Sequence, residues 1–166
     1  MAMESLERGS QIRRHAIQLI HLGVKELYIK SHIPPDTSIG IGNDTFSLTS
    51  GHGQYDKENK TIVVELKLES GTKEGEIEVP FSMRITLAGL FQVDEDKFPV
   101  EHILHWAGNN APLILYPYLR EHAFGLTTRC GFKSMLLPLL EVPTIRFSET
   151  PKPKKKKTPS KKSQIE

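Results

Sequence analysis

The 166-residue sequence lacks the features that mark disulfide-stabilised, secreted and membrane-spanning proteins. Cys130 is the only cysteine, which excludes a disulfide within the chain. No stretch resembles the apolar segment of a signal peptide, and none approaches the roughly 20 apolar residues that span a bilayer. We therefore expect a soluble, cytoplasmic protein without membrane insertion, and the length predicts one folded domain with tails.

The chain also lacks a large net charge, but its formal value of +2 conceals an uneven distribution. Residues 151–166, PKPKKKKTPSKKSQIE, contain seven lysines and one glutamate. Subtracting them from the totals of 22 basic and 20 acidic residues leaves 15 and 19, a net charge of −4. A lysine block broken by prolines cannot bury enough apolar surface to fold, so we predict a disordered tail over residues 148–166. It either keeps the protein soluble or binds a polyanion such as RNA or the ribosome.

Motifs of catalysis and of cofactor binding are missing as well. The sequence has no nucleophile elbow, no phosphate-binding loop and no carboxylate pair at catalytic spacing. His102 and His105 have a spacing that allows chelation on a helix, but no cysteine, aspartate or second pair supports a metal site. Residues 120–122, Arg-Glu-His, fit an ion-pair stripe or an interface better than acid-base catalysis. We predict a protein that is not an enzyme and that uses neither metal nor cofactor.

What the sequence does contain is strong alternation of apolar residues in its middle. Residues 62–68 carry an apolar residue at every second position, with Glu65 and Lys67 on the other phase. Residues 76–93 repeat the pattern, and the SGTKEG between the two segments supplies the glycines of a turn. This pattern predicts a pair of antiparallel strands with one apolar face.

Two further strands are predicted closer to the N-terminus. Residues 17–30 are apolar on both phases: one phase holds Ile17, Leu19, Leu27 and Ile29, and the other holds Ile20, Leu22 and Val24. Gly23 is the predicted position of a bulge, and both faces of this strand are expected to be covered. A weaker strand is predicted through residues 45–48.

The apolar spacing becomes helical after residue 94. One helical segment runs from Val100 until residues 108–110 interrupt it, and a second ends at Gly131. Pro117 is compatible with a first turn or with a kink between two helical pieces. Residues 132–147 are apolar and contain two prolines, so we predict an extended segment held along the body.

Strands followed by helix predict an α+β fold, a four-stranded antiparallel sheet with a long broken helix on one face. One helix covers only part of such a sheet, and a soluble protein must hide the remaining apolar surface in an oligomer or use it for binding. The aromatic rings best able to line a binding groove are Phe81, Phe91, Tyr116, Tyr118, Phe124 and Phe132.

The run NNAPLILYPYLREHAFGLTTRCGFKSMLLPLLEV, residues 109–142, resembles the SecB family of protein-export chaperones. The strand IQLIHLGVKELYIK and the Leu90-Phe91 pair before an acidic loop occur in that family's order. The resemblance covers residues 15–147, preceded by an N-terminal segment, 1–14. It implies a dimer of dimers, a homotetramer with its helices between the sheets, and an ATP-independent holdase that binds unfolded or precursor polypeptides. The alternative is a nucleic-acid-associated or ribosome-associated protein that acts through its lysine-rich tail.

The resemblance and the apolar pattern together predict two functional surfaces. The surface for unfolded polypeptide is predicted to comprise Leu27, Ile29, Phe81, Met83, Phe91, Tyr116, Tyr118, Phe124 and Phe132. The oligomer interface is predicted to comprise Ile20, Leu22, Val24, Leu119, Arg120 and Glu121.

The predicted partner-docking patch differs from that of the export members of the family. Those members are acidic where the translocation motor SecA docks, and this chain retains Glu26 there. Lys30 replaces an acidic residue, and Ser82 and Arg84 replace leucine and glutamate. The chain also resembles the SecB-like chaperones of toxin-antitoxin systems, so we expect an antitoxin client more than SecA as a partner.

Overall fold

The computed structural model describes residues 13–42, 46–71 and 79–141. Its elements are β1 (Ile17–Ser31), β2 (Phe46–His52), β3 (Thr61–Ser70), β4 (Phe81–Val93), a 3-10 turn (Val100–His102), α1 (Ile103–Asn109) and α2 (Ala111–Arg129). The strands form one antiparallel sheet in the order β1-β4-β3-β2, with the helices on one face, which confirms the predicted α+β fold. The predicted lysine-rich tail and most of the predicted N-terminal segment lie outside the described residues.

The two central strands, β3 and β4, supply most of the core from one face of the sheet. This face, called the helix side, carries cross-strand pairs such as Leu66 and Leu87. Its side chains are at most 2% exposed: Ile62, Val64, Leu66, Leu68, Phe81, Met83, Ile85, Leu87, Phe91 and Val93. The opposite surface, called the outer face, carries the alternating polar side chains, as the two-residue period predicted.

β1 contains two bulges that its sequence pattern did not reveal. Its pairing with β4 shifts register between Leu19 and His21 and again between Val24 and Glu26. Each bulge adds a residue to β1 opposite an uninterrupted partner, so the alternation between the two faces restarts beyond it. The bulge predicted at Gly23 was wrong, because that residue is paired in register.

The bulges place the aliphatic residues that pair with β4 on the helix side. Leu22 and Val24 lie opposite Gly89 and Leu87, which both belong to the buried phase of β4. The prediction that both faces of β1 are apolar was therefore wrong, because a strict two-residue period does not register an inserted residue. The outer face of β1 instead carries residues such as Glu26.

The helical region is interrupted at Asn110, where residues 108–110 predicted a break. Pro117 lies inside α2, well beyond its first turn, so the prediction of a first-turn or junction position was wrong. The missing N–H of proline removes one bond from the helix ladder. Leu115 and Leu119, both 0% exposed, flank the proline and pack the helix on the sheet.

Residues 133–141, called the strap, follow α2 in neither helix nor strand, in agreement with the predicted extended segment; its remaining residues, 142–147, lie outside the described part of the chain. Met135 and Leu137 are buried against the core at 4% and 1% exposure. Leu136 and Leu139, by contrast, are 63% and 82% exposed. The strap therefore closes the core with one set of side chains and presents the other set to solvent.

Candidate functional site

The helices leave the helix side of the sheet partly uncovered at β1. α2 packs mainly on β3 and β4, and β1 is an edge strand. Val24 and Leu27 consequently remain 48% and 42% exposed, although their partners on β4 are fully buried. Half-exposed aliphatic side chains along a sheet edge form a surface that another chain can cover.

The face of α2 that points away from the sheet is also apolar. Ile114, Tyr118 and Phe124 are 39%, 44% and 43% exposed, and the exposed carboxylate of Glu121 lies among them. A surface helix ordinarily carries polar side chains on this face. This face and the exposed leucines of the strap are together called the apolar surface. Apolar side chains exposed in this way favour contact with a partner.

The strap is held against α2 by side-chain hydrogen bonds. The Tyr116 hydroxyl donates to the carbonyl of Pro138, and Arg120 Nε donates to the carbonyl of Leu137 at 3.0 Å. The backbone N–H of Met135 donates to Thr127 Oγ1 at 2.9 Å. Burial of the Tyr116 ring raises the pKa of its hydroxyl, so the group remains a donor at physiological pH.

The residues predicted to bind polypeptide fall into two groups. Leu27, Tyr118 and Phe124 are more than two fifths exposed and Ile29 is half-buried, so these four are accessible at the surface of the subunit. The others are at most 4% exposed and belong to the core: Phe81, Met83, Phe91, Tyr116 and Phe132. This second group is not accessible in the folded subunit.

The aromatic members of the core group are packed against other rings. Phe81 and Phe132 have ring centroids 5.0 Å apart, and Phe91 meets Trp106 edge-on at 5.2 Å. Such pairs stabilise the fold beyond the area they bury. The alternation predicted that Phe81 and Phe91 share one face, but it did not show that other elements cover that face.

Several exposed residues of the apolar surface were absent from the predicted site, among them Ile114, Leu136 and Leu139. Ile114 precedes Tyr118 by one helical turn, Leu139 follows Pro138 directly, and Leu136 lies two residues before it. The helical spacing and the proline-flanked leucines were the signals that could have identified them. Both signals predict which residues lie close together, but not which of these residues are exposed to solvent.

The predicted docking patch is assembled on the outer face. Lys30 lies opposite Ser82 in the ladder, and the neighbouring pairs bring Glu26 and Arg84 beside each other. Arg84 Nε donates to Glu26 Oε1 at 2.9 Å, and the guanidinium lies 4.0 Å from the centroid of the Tyr28 ring. The hydrogen bond to Glu26 raises the pKa of Arg84. The acidic residue retained in this patch is therefore already paired with a cation.

The residues predicted for the oligomer interface differ in their exposure to solvent. Ile20 and Val24 are about half exposed, Leu22 is partly buried, and Glu121 is exposed. Leu119 is fully buried. Arg120 uses its Nε to hold the strap. Glu121 lies on the apolar surface, so only the β1 residues remain in the proposed interface.

Among the described residues, no three His, Cys, Asp or Glu side chains are grouped so that they could hold a metal ion. No helix in the same part of the chain has both the length and the apolar character needed to cross a membrane.

Known proteins show the same architecture and related sequences. The protein-export protein SecB of Magnetococcus marinus is 25% identical over 138 residues, which cover 81% of this chain and 85% of that protein. That of Methylobacillus flagellatus is 29% identical over 129 residues, covering 69% and 74%. A SecB-like chaperone of Mycobacterium tuberculosis, solved with a ChAD peptide from an antitoxin, shares the fold with a TM-score of 0.60 at 19% identity, covering 78% and 94%. Residues 15–145 match the family model described as preprotein translocase subunit SecB, so the chain belongs to the SecB family.

Proposed function

We propose that the protein is an ATP-independent holdase that binds non-native polypeptide through its apolar surface. The observation that carries this proposal is the exposure of Ile114, Tyr118 and Phe124 along the outward face of α2. Membership of the SecB family supports a chaperone role in protein export. Holding an unfolded chain lowers its free concentration by mass action and needs no chemical step.

Useful affinity requires several such sites on one assembly. Burying one large apolar side chain contributes about 1.5–3 kcal/mol, and ordering the client offsets part of this. One apolar surface therefore binds weakly, whereas linked surfaces on several subunits hold one long chain much more tightly. We propose a homotetramer, a dimer of dimers in the bacterial cytoplasm, in which Val24 and its neighbours on β1 are covered.

The proposal is tested by light scattering of an aggregating client without nucleotide. An equimolar amount of the protein is expected to suppress aggregation of chemically denatured citrate synthase, and Phe124→Ser should reduce this protection. His105→Ser, at an exposed polar position of α1, is the matched control and should protect as the wild type does. Unchanged aggregation with wild-type protein would reject the holdase function, and salt-sensitive RNA binding in its place would favour the tail-based alternative.

The client is proposed to be an antitoxin encoded beside the chaperone. The solved SecB-like chaperone of Mycobacterium tuberculosis contains a peptide from an antitoxin. Arg84 and Lys30 on the outer face support the same choice, because a docking surface for the export motor depends on complementary charge.

Reversing both charges is expected to strengthen binding of SecA. Wild-type protein should bind the motor weakly, and Lys30→Glu/Arg84→Glu should tighten binding by about tenfold at low salt, since like charges at a contact oppose docking. The gain should shrink as salt screens these exposed charges. Surface plasmon resonance at two salt concentrations measures both effects.

The matched control reverses two cations outside the patch, Lys57→Glu/Arg129→Glu, which are both exposed. It carries the same net charge change and should leave motor binding near the wild-type value. Tight binding of SecA by the wild-type protein, unaltered by the charge reversal in the patch, would contradict the charge argument and favour general export.

A further inference from the structure

We draw no further inference here: the strongest candidate, the open cavity on the outer face of β2 and β3 that is lined by Thr49, Gly51, Val63, Glu65 and Thr86, carries nothing, because nothing in the part of the chain that the structure describes shows what fills or covers it.

Discussion

Replacing Phe91 by alanine is expected to lower the free energy of unfolding by about 3–5 kcal/mol, the range for a large aromatic side chain deleted from a core. The ring is 0% exposed and packs edge-on against Trp106. Because no client can reach it in the folded protein, the folded fraction should bind clients with wild-type affinity. Urea denaturation measures the first quantity and anisotropy with a labelled unfolded client measures the second.

Phe124→Ala is the matched variant, since it removes the same ring from a position that is 43% exposed. It should change stability by less than about 1 kcal/mol, as expected for a partly exposed site, and should weaken client binding. A Phe91→Ala protein that remains stable but binds clients poorly would contradict this assignment. Phe91 would then be assigned to the client-binding site, as its sequence pattern predicted.

Val24→Asp is expected to dissociate the proposed tetramer. Val24 is 48% exposed on the edge strand, so the isolated subunit should tolerate the carboxylate with little loss of stability. An unpaired charge buried in a subunit interface costs several kcal/mol, which raises the dissociation constant by about 100-fold or more. Sedimentation velocity at micromolar concentration should show a smaller species for the variant.

His21→Asp introduces the same side chain on the same strand, but on the outer face and opposite Leu90. It should sediment as the wild type does. Wild-type protein that sediments as a monomer would refute the tetramer, and a Val24→Asp protein that remains tetrameric would place the interface elsewhere.

The hairpin of β3 and β4 was predictable because nothing interrupts its two-residue period within the described strands. β1 was harder to predict because two bulges conceal the single apolar face that Leu22 and Val24 share with Leu27. Pro117 was misplaced for a related reason: local backbone rules favour helix ends for proline, but packing on the sheet carries α2 through it.

The candidate site was less predictable than the fold. Periodicity assigned Phe81 and Phe91 to the same face as other apolar residues, but burial depends on which element lies above that face. Tyr116 and Tyr118 differ by only two residues, and the helix turns one ring inward to the strap and the other outward to solvent. The ion pair on the outer face was easier to predict, because the register of β1 and β4 alone places Glu26 beside Arg84.

The bulges in β1 also limit the ability of unfolded chains to aggregate as added strands on the edge of the sheet. An edge strand of 15 residues is a template to which an unfolded chain could add as a further strand. The two register shifts divide β1 into regular stretches of three, four and six residues, Leu19, Val24 and Ser31 being their last members. Bulges bend and twist the edge, so a flat incoming strand cannot follow it along its full length. A client is thereby denied the continuous backbone ladder from which cross-β growth begins.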